Sequence, residues 1–345
     1  MSRRPRSSKK GRARRQGGSG LLDTVPRGLT PLLVILMAIA VVAWLYIGAG
    51  PARKSTDVVL PKGGGVRQIA GALSDAGVIK SKTVFFIAAK LTGRAGRLKA
   101  GEYEFQPGES IAQLLGDIAA GTVVRRFVVA PEGWTSAMVA DAVRAQPLLV
   151  GEIEIPPEGS ILPDGYQYQR GEQRGEVIAR MMAARDKVLA ELWASRAPDL
   201  PLKTPEEAVI LASVVEKETG LPAERPRIAG LFENRLRLGA RLESDPTVIY
   251  GISKGQPLGR GLTMKELVTE TPYNTYRIVG LPPTPIANPG RAALEAVLNP
   301  AKTDDLYFVA DGSGGHVFAK TLAEHHINAE KWHALERARA AGVAK

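Results

Sequence analysis

The stretch ILASVVEKETG, residues 210–220, ends an apolar run with three charges, Glu216, Lys217 and Glu218. A carboxyl group at the edge of a buried helix face is partly desolvated, which raises its pKa and suits it to general acid work. The expected helix has a marked beginning. Thr204 is the N-cap, Pro205 the first helical residue, and Glu207 completes a capping box. Gly220 then ends it, with Pro222 soon after. Around this helix Ala208, Leu211, Ala212 and Val215 form one apolar face, and Lys217 points to solvent. Glu216 and Glu218 flank that face roughly 200° apart, so they cannot both address one bond. Periodicity does not choose between them, and a structural Glu paired with an Arg is the alternative reading for either.

A site for a polar polymer also needs fixed hydrogen-bonding groups and aromatic faces. Asn234, Asp245, Tyr250, Tyr273, Asn274, Tyr276 and Asn288 supply them in the second half of the chain, three of them in the Pro-flanked loop TPYNTYRI. For Tyr250 a core position is the alternative, for Asn234 a brace on a helix, and for Asp245 a turn. His316, His325, His326 and His333 lack the spacing that sets two metal ligands on one helix face, and there is no cysteine. Ser213 has no G-x-S-x-G elbow, and the glycines at 63–65 are not followed by a Walker lysine. No metal and no other cofactor is implied.

What holds such a site begins with a membrane anchor. Residues 29–48, LTPLLVILMAIAVVAWLYIG, carry no charge and, at about 1.5 Å per residue, span the roughly 30 Å of a bilayer's hydrocarbon. Nine Lys and Arg precede this span in residues 1–27 against Asp23 alone, while only Arg53 and Lys54 follow closely. The positive-inside rule therefore keeps the basic tail, residues 1–28, in the cytoplasm and puts the bulk of the chain across a cytoplasmic (inner) membrane as a single-pass protein. The tail also accounts for most of the net charge of +11, which leaves +3 elsewhere and argues against nucleic acid as a partner.

After a polar linker at 49–57, a pattern recurs around Gly63, Gly108 and Gly133. Each closely follows a proline and precedes apolar residues at helical spacing: Ile69, Ala70 and Leu73; Leu114, Leu115 and Ile118; Val139, Ala140 and Val143. Short extended runs, DVVL, GEYEF and RRFVVA, stand before the glycines. The unit reads as strand, turn and amphipathic helix. Two units plus the strand that opens the third, residues 58–130, resemble a LysM-like module. A long helix from Val177 through Trp193 is expected to pack on the domain that follows.

Four motifs in order, ILASVVEKETG, LFENRLRLGARLESDPTVIYG, TPYNTYRIVGLPPTPIANPG and LYFVADGSGGHVFAKTLAEH, resemble the YceG-like, or MltG, family of membrane-anchored endolytic murein transglycosylases. The likeness runs from the anchor to near the C-terminus. It departs from the family pattern at Gly165, where threonine is common, and at Thr284, where glycine is common. The fold expected is α+β: one N-terminal transmembrane helix, the small LysM-like βα module, then a larger mixed α/β catalytic domain at 131–345. The resemblance implies Glu216, the first Glu of EKET, as the catalytic residue, with peptidoglycan as substrate and peptidoglycan synthases as neighbours. It implies cleavage of the β-1,4 bond between N-acetylmuramic acid and N-acetylglucosamine, leaving 1,6-anhydro ends. One group acting as acid and then base suffices for that reaction. The alternatives are a muramidase using water, with Asp245 or Glu243 as second carboxylate, and a non-catalytic peptidoglycan-binding scaffold.

Overall fold

The computed structural model describes residues 30–342. The basic tail lies outside the described residues. The chain divides into two compact units, with the break between Val124 and Arg125.

The first unit opens with α1 (Thr30–Ile47), an 18-residue helix with no buried side chain, long and apolar enough to cross a membrane. After it come β1 (Thr56–Leu60), α2 (Val66–Asp75), α3 (Lys82–Leu91), β2 (Gly101–Phe105) and α4 (Ile111–Ala120). β1 and β2 are antiparallel, with Thr56 opposite Phe105 and Leu60 opposite Gly101. Alternation sends Val58 and Leu60 inward, where they meet Ile69 and Leu73 of α2, Phe85 of α3, and Leu114, Leu115 and Ile118 of α4. Gly63 and Gly108 have φ of +71° and +76°, so the turns between strand and helix use a backbone region in which a side chain is strained.

The second unit begins with β3 (Arg126–Val129), α5 (Ser136–Arg144) and β4 (Gly165–Tyr168). β3, expected with the LysM-like module, pairs antiparallel with β4 instead and so belongs to this unit. The helices α6 (Arg174–Ala194), α7 (Pro205–Glu218), α8 (Arg225–Arg237), α9 (Asp245–Ser253), α10 (Met264–Val268) and α11 (Arg291–Leu298) follow. A hairpin of β5 (Tyr307–Ala310) and β6 (His316–Ala319) leads into α12 (Leu322–Ala340).

α7 is the centre of this unit. Its run from Leu211 to Val215 is buried, together with Ala208 and Val209. The apolar face predicted from spacing is part of a helix enclosed on nearly all sides by Ile228, Leu231 and Phe232 of α8 and Leu294 and Val297 of α11. Thr204 caps it by accepting from the Glu207 backbone N–H at 3.2 Å, but Glu207 reaches back to the N–H of Lys203 rather than Thr204. The helix ends at Thr219, an extended residue, one position before the expected glycine. Gly230 lets α8 approach the 300–303 segment, since a Cβ there would lie 2.4 Å from the Ala301 carbonyl oxygen.

Candidate active site

The two glutamates at the end of α7 enter different surroundings, as their angular separation requires. The Glu216 side chain is 4% exposed. Its Oε1 accepts from Arg225 Nη2 at 3.0 Å, and its Oε2 accepts from the Gly290 backbone N–H at 2.9 Å. Arg225 also meets Glu132 at 3.4 Å. Burial raises the Glu216 pKa, while the Gly290 N–H and the Arg225 charge oppose that shift and Glu132 adds to it. A Cβ at Gly290 would stand 2.0 Å from Glu132 Oε1, so a side chain there would displace Glu132 from beside Arg225. Both oxygens of Glu216 are therefore occupied in holding α7, α8 and the start of α11 together.

Glu218 instead lines a cleft of about 560 Å³. Ser244, the residue before α9, donates its hydroxyl to Glu218 Oε1. Burial of the carboxyl pushes its pKa up to about 7, with the Ser244 hydrogen bond and Arg235 acting the other way and the Asp245 charge reinforcing the rise. Asp245 and Tyr276 share the cleft, and the Tyr276 hydroxyl donates to Asp245 Oδ1 at 2.8 Å. Arg235 and Glu243 pair at 2.9 Å on another wall, and α12 contributes His325, His326, Trp332 and His333.

Of the other residues expected to meet substrate, Asp245 and Tyr276 reach this cleft. Asn274 is fully buried: its amide donates to the carbonyls of Glu266, Leu267 and Thr269, and its Oδ1 accepts from the Tyr276 N–H, so it shapes the loop that presents Tyr276. Tyr273 packs on Tyr250 with ring centroids 5.1 Å apart, and its hydroxyl meets Thr284 at 2.9 Å. Tyr250 is a core residue whose hydroxyl donates to Glu158 at 3.2 Å. Asn288, fully buried, ties residues 134, 136, 158 and 161 to its own segment. Asn234 braces α8 by donating to the carbonyls of Thr303 and Asp305. In these five each polar group that spacing made available is engaged within the protein, the asparagine amides mainly by loop backbone and the two tyrosine hydroxyls by the side chains of Thr284 and Glu158.

The sequence reading gave Glu218 a structural role and did not single out Ser244, Arg235 or Trp332, which meet it or line the same cleft. For Glu218 and Ser244 the signal lay in the pairing of EKET with ESDPT, which puts a hydroxyl and a carboxylate at the start of one helix against the end of another.

The YceG-like family model matches residues 58–331. An endolytic murein transglycosylase of Bacillus subtilis (strain 168) is 29% identical over 312 residues, covering 81% of this chain and 85% of that protein. One of Streptococcus pneumoniae (strain ATCC BAA-255 / R6) is 30% identical over 322 residues, covering 79% of this chain and 57% of that longer protein. A crystal structure of a yceG-like protein from Listeria monocytogenes aligns at a TM-score of 0.49 with 29% identity, over 80% of this chain and 99% of that one.

Proposed function

The chain belongs to the YceG-like family, and we propose that it is a membrane-anchored endolytic lytic transglycosylase that cuts nascent peptidoglycan strands with Glu218 as its acid and base. The bond cleaved is the β-1,4 link between N-acetylmuramic acid and N-acetylglucosamine. The observation that carries the residue assignment is the contrast at the end of α7. Glu216 spends both oxygens on Arg225 and the Gly290 N–H, whereas Glu218 stands in a cleft with its carboxyl held near pKa 7.

A carboxyl group near that value is well matched to giving a proton and taking one back at neutral pH. Protonated Glu218 donates to the leaving glycosidic oxygen as the C1–O bond breaks. The resulting carboxylate then takes the proton of the muramic acid C6 hydroxyl as that oxygen bonds to C1, which closes the 1,6-anhydro ring and restores the acid. No water is consumed. Asp245, oriented by the Tyr276 hydroxyl, adds negative charge beside the site that favours both the protonated acid and an oxocarbenium-like sugar. Trp332 and Tyr276 offer faces on which sugar rings can pack.

The closeness of Asp245 to Glu218 keeps a hydrolase in play, because a muramidase would use such a second carboxylate to direct water. Mass spectrometry of fragments released from uncrosslinked strands separates the two: anhydro ends weigh one water less than hydrolysed ends. The anchor α1 keeps the enzyme at the membrane. On the charge asymmetry around it, both units lie outside the cytoplasm, within reach of the peptidoglycan synthases. The β1–α2–α3–β2–α4 unit is assigned as a LysM-like module, on its strand, glycine turn and helix order and its antiparallel two-stranded sheet.

A further inference from the structure

The C-terminal half of α1 does not stand alone. α3 presents Val84, Ile87, Ala88 and Leu91, at spacings of three and four, to a stretch of α1 that runs from Ala38 to Tyr46, and an apolar groove of about 400 Å³ lies between them. Leu91 is 83% exposed and Ile87 43%. An 18-residue helix is about 27 Å long, no more than the roughly 30 Å of hydrocarbon it has to cross, so α1 has no spare turns to leave in water. Whatever lies beside residues 38–46 thus lies at the acyl chains or the headgroups. Lys80 marks that level. Its ammonium is 4.6 Å from the Trp44 ring centroid and donates to the Ala49 carbonyl at 3.1 Å, at the end of the span where an interfacial aromatic belongs.

Charge supplies a second, independent observation. Residues 76–100 contain Lys80, Lys82, Lys90, Arg94, Arg97 and Lys99 and no acid, and of these Lys82 pairs at 3.0 Å with Asp75, which immediately precedes the segment. A basic, amphipathic helix with exposed leucine and isoleucine is the form that lies in a membrane interface, its long cationic side chains reaching up to the phosphates. We propose that α3 and the basic segment around it are a second membrane-contact surface, seating the N-terminal unit on anionic phospholipid headgroups of the leaflet that α1 leaves at its C-terminal end. The proposal rests on α1 spanning the bilayer. Its consequence is that the first unit is held against the membrane and does not swing from a flexible tether.

The chain has no cysteine, so single labels can be placed in the full-length protein without removing any. Ile87→Cys, Leu91→Cys, Glu104→Cys on the outward side of β2, and Val41→Cys within α1 are each coupled to a polarity-sensitive fluorophore. The proteins are reconstituted into phosphatidylethanolamine and phosphatidylglycerol vesicles with a spin-labelled lipid. The expected result is at least twofold quenching at 87 and 91 by a label near the headgroup end of the acyl chain, strong quenching at 41, and none at 104. Labels at 87 and 91 that behave as the one at 104, quenched by aqueous iodide and not by lipid, overturn the proposal. So do labels shielded from both quenchers, which would mean that protein covers the face. An aqueous label at 41 overturns the spanning of α1, and the proposal with it.

Discussion

Two carboxylates two residues apart on one helix meet different partners, and the different work proposed for them is measurable residue by residue. Glu216→Gln removes a charge that Arg225, itself buried, is built to meet. Breaking such a pair destabilises by on the order of 3 kcal/mol, so the expected result is a lower midpoint in denaturant with activity retained in the folded fraction. Glu218→Gln is expected to lose at least a hundredfold in kcat while remaining folded, in line with removal of a general acid. The pH dependence carries a sign. Burial pushes Glu218 up to about 7, so kcat falls as pH rises through about 7 and the acid loses its proton. In stability, the native state holds a proton that the unfolded chain releases near its ordinary pKa, so the contribution is complete at low pH and is lost between about 4.5 and 7. Glu233, also raised to about 7 by burial, acts in the same direction. The fall in stability over this window, followed by denaturant unfolding, is expected to be shallower in Glu218→Gln by on the order of 3 kcal/mol.

At the scale of elements, most of the reading from sequence concerned backbone periodicity, and that was legible. The strand at 101–105, the helices after Gly63, Gly108 and Gly133, and the Thr204 cap all follow from local rules of spacing and turn chemistry. Which glutamate faces the cleft was not, because the angle between Glu216 and Glu218 is local while the partners that distinguish them come from α8, α9 and α11, far along the chain. The same limit applies to Asn274 and Asn288, whose amides look available for a sugar until the loop carbonyls around them are counted. The strand at 126–129, grouped by its repeat pattern with the module at 58–130, pairs with β4 for a like reason, since that partner lies beyond the intervening α5. Two elements carry tests. Thr204→Ala is expected to cost about 1 kcal/mol through the lost cap on α7, read by thermal unfolding. Gly230→Ala places a methyl group against the Ala301 carbonyl, which is backbone and cannot swing away, and is expected to cost roughly 1–3 kcal/mol by the same measure.

For the whole molecule, a basic N-terminal tail, an apolar helix and two compact units describe an enzyme whose substrate is made at a membrane surface. On the proposed function, the anchor gives proximity and the second unit, which holds Glu218, gives chemistry. Reducing ends against anhydro ends, and Glu218 against Glu216, can be read in one experiment: mass spectrometry of soluble fragments from uncrosslinked glycan strands treated with full-length wild type, Glu218→Gln and Glu216→Gln. The account predicts 1,6-anhydro fragments from wild type and from folded Glu216→Gln, and none from Glu218→Gln. Anhydro fragments from Glu218→Gln with none from a folded Glu216→Gln would contradict the assignment, and water-added ends from wild type would contradict the reaction.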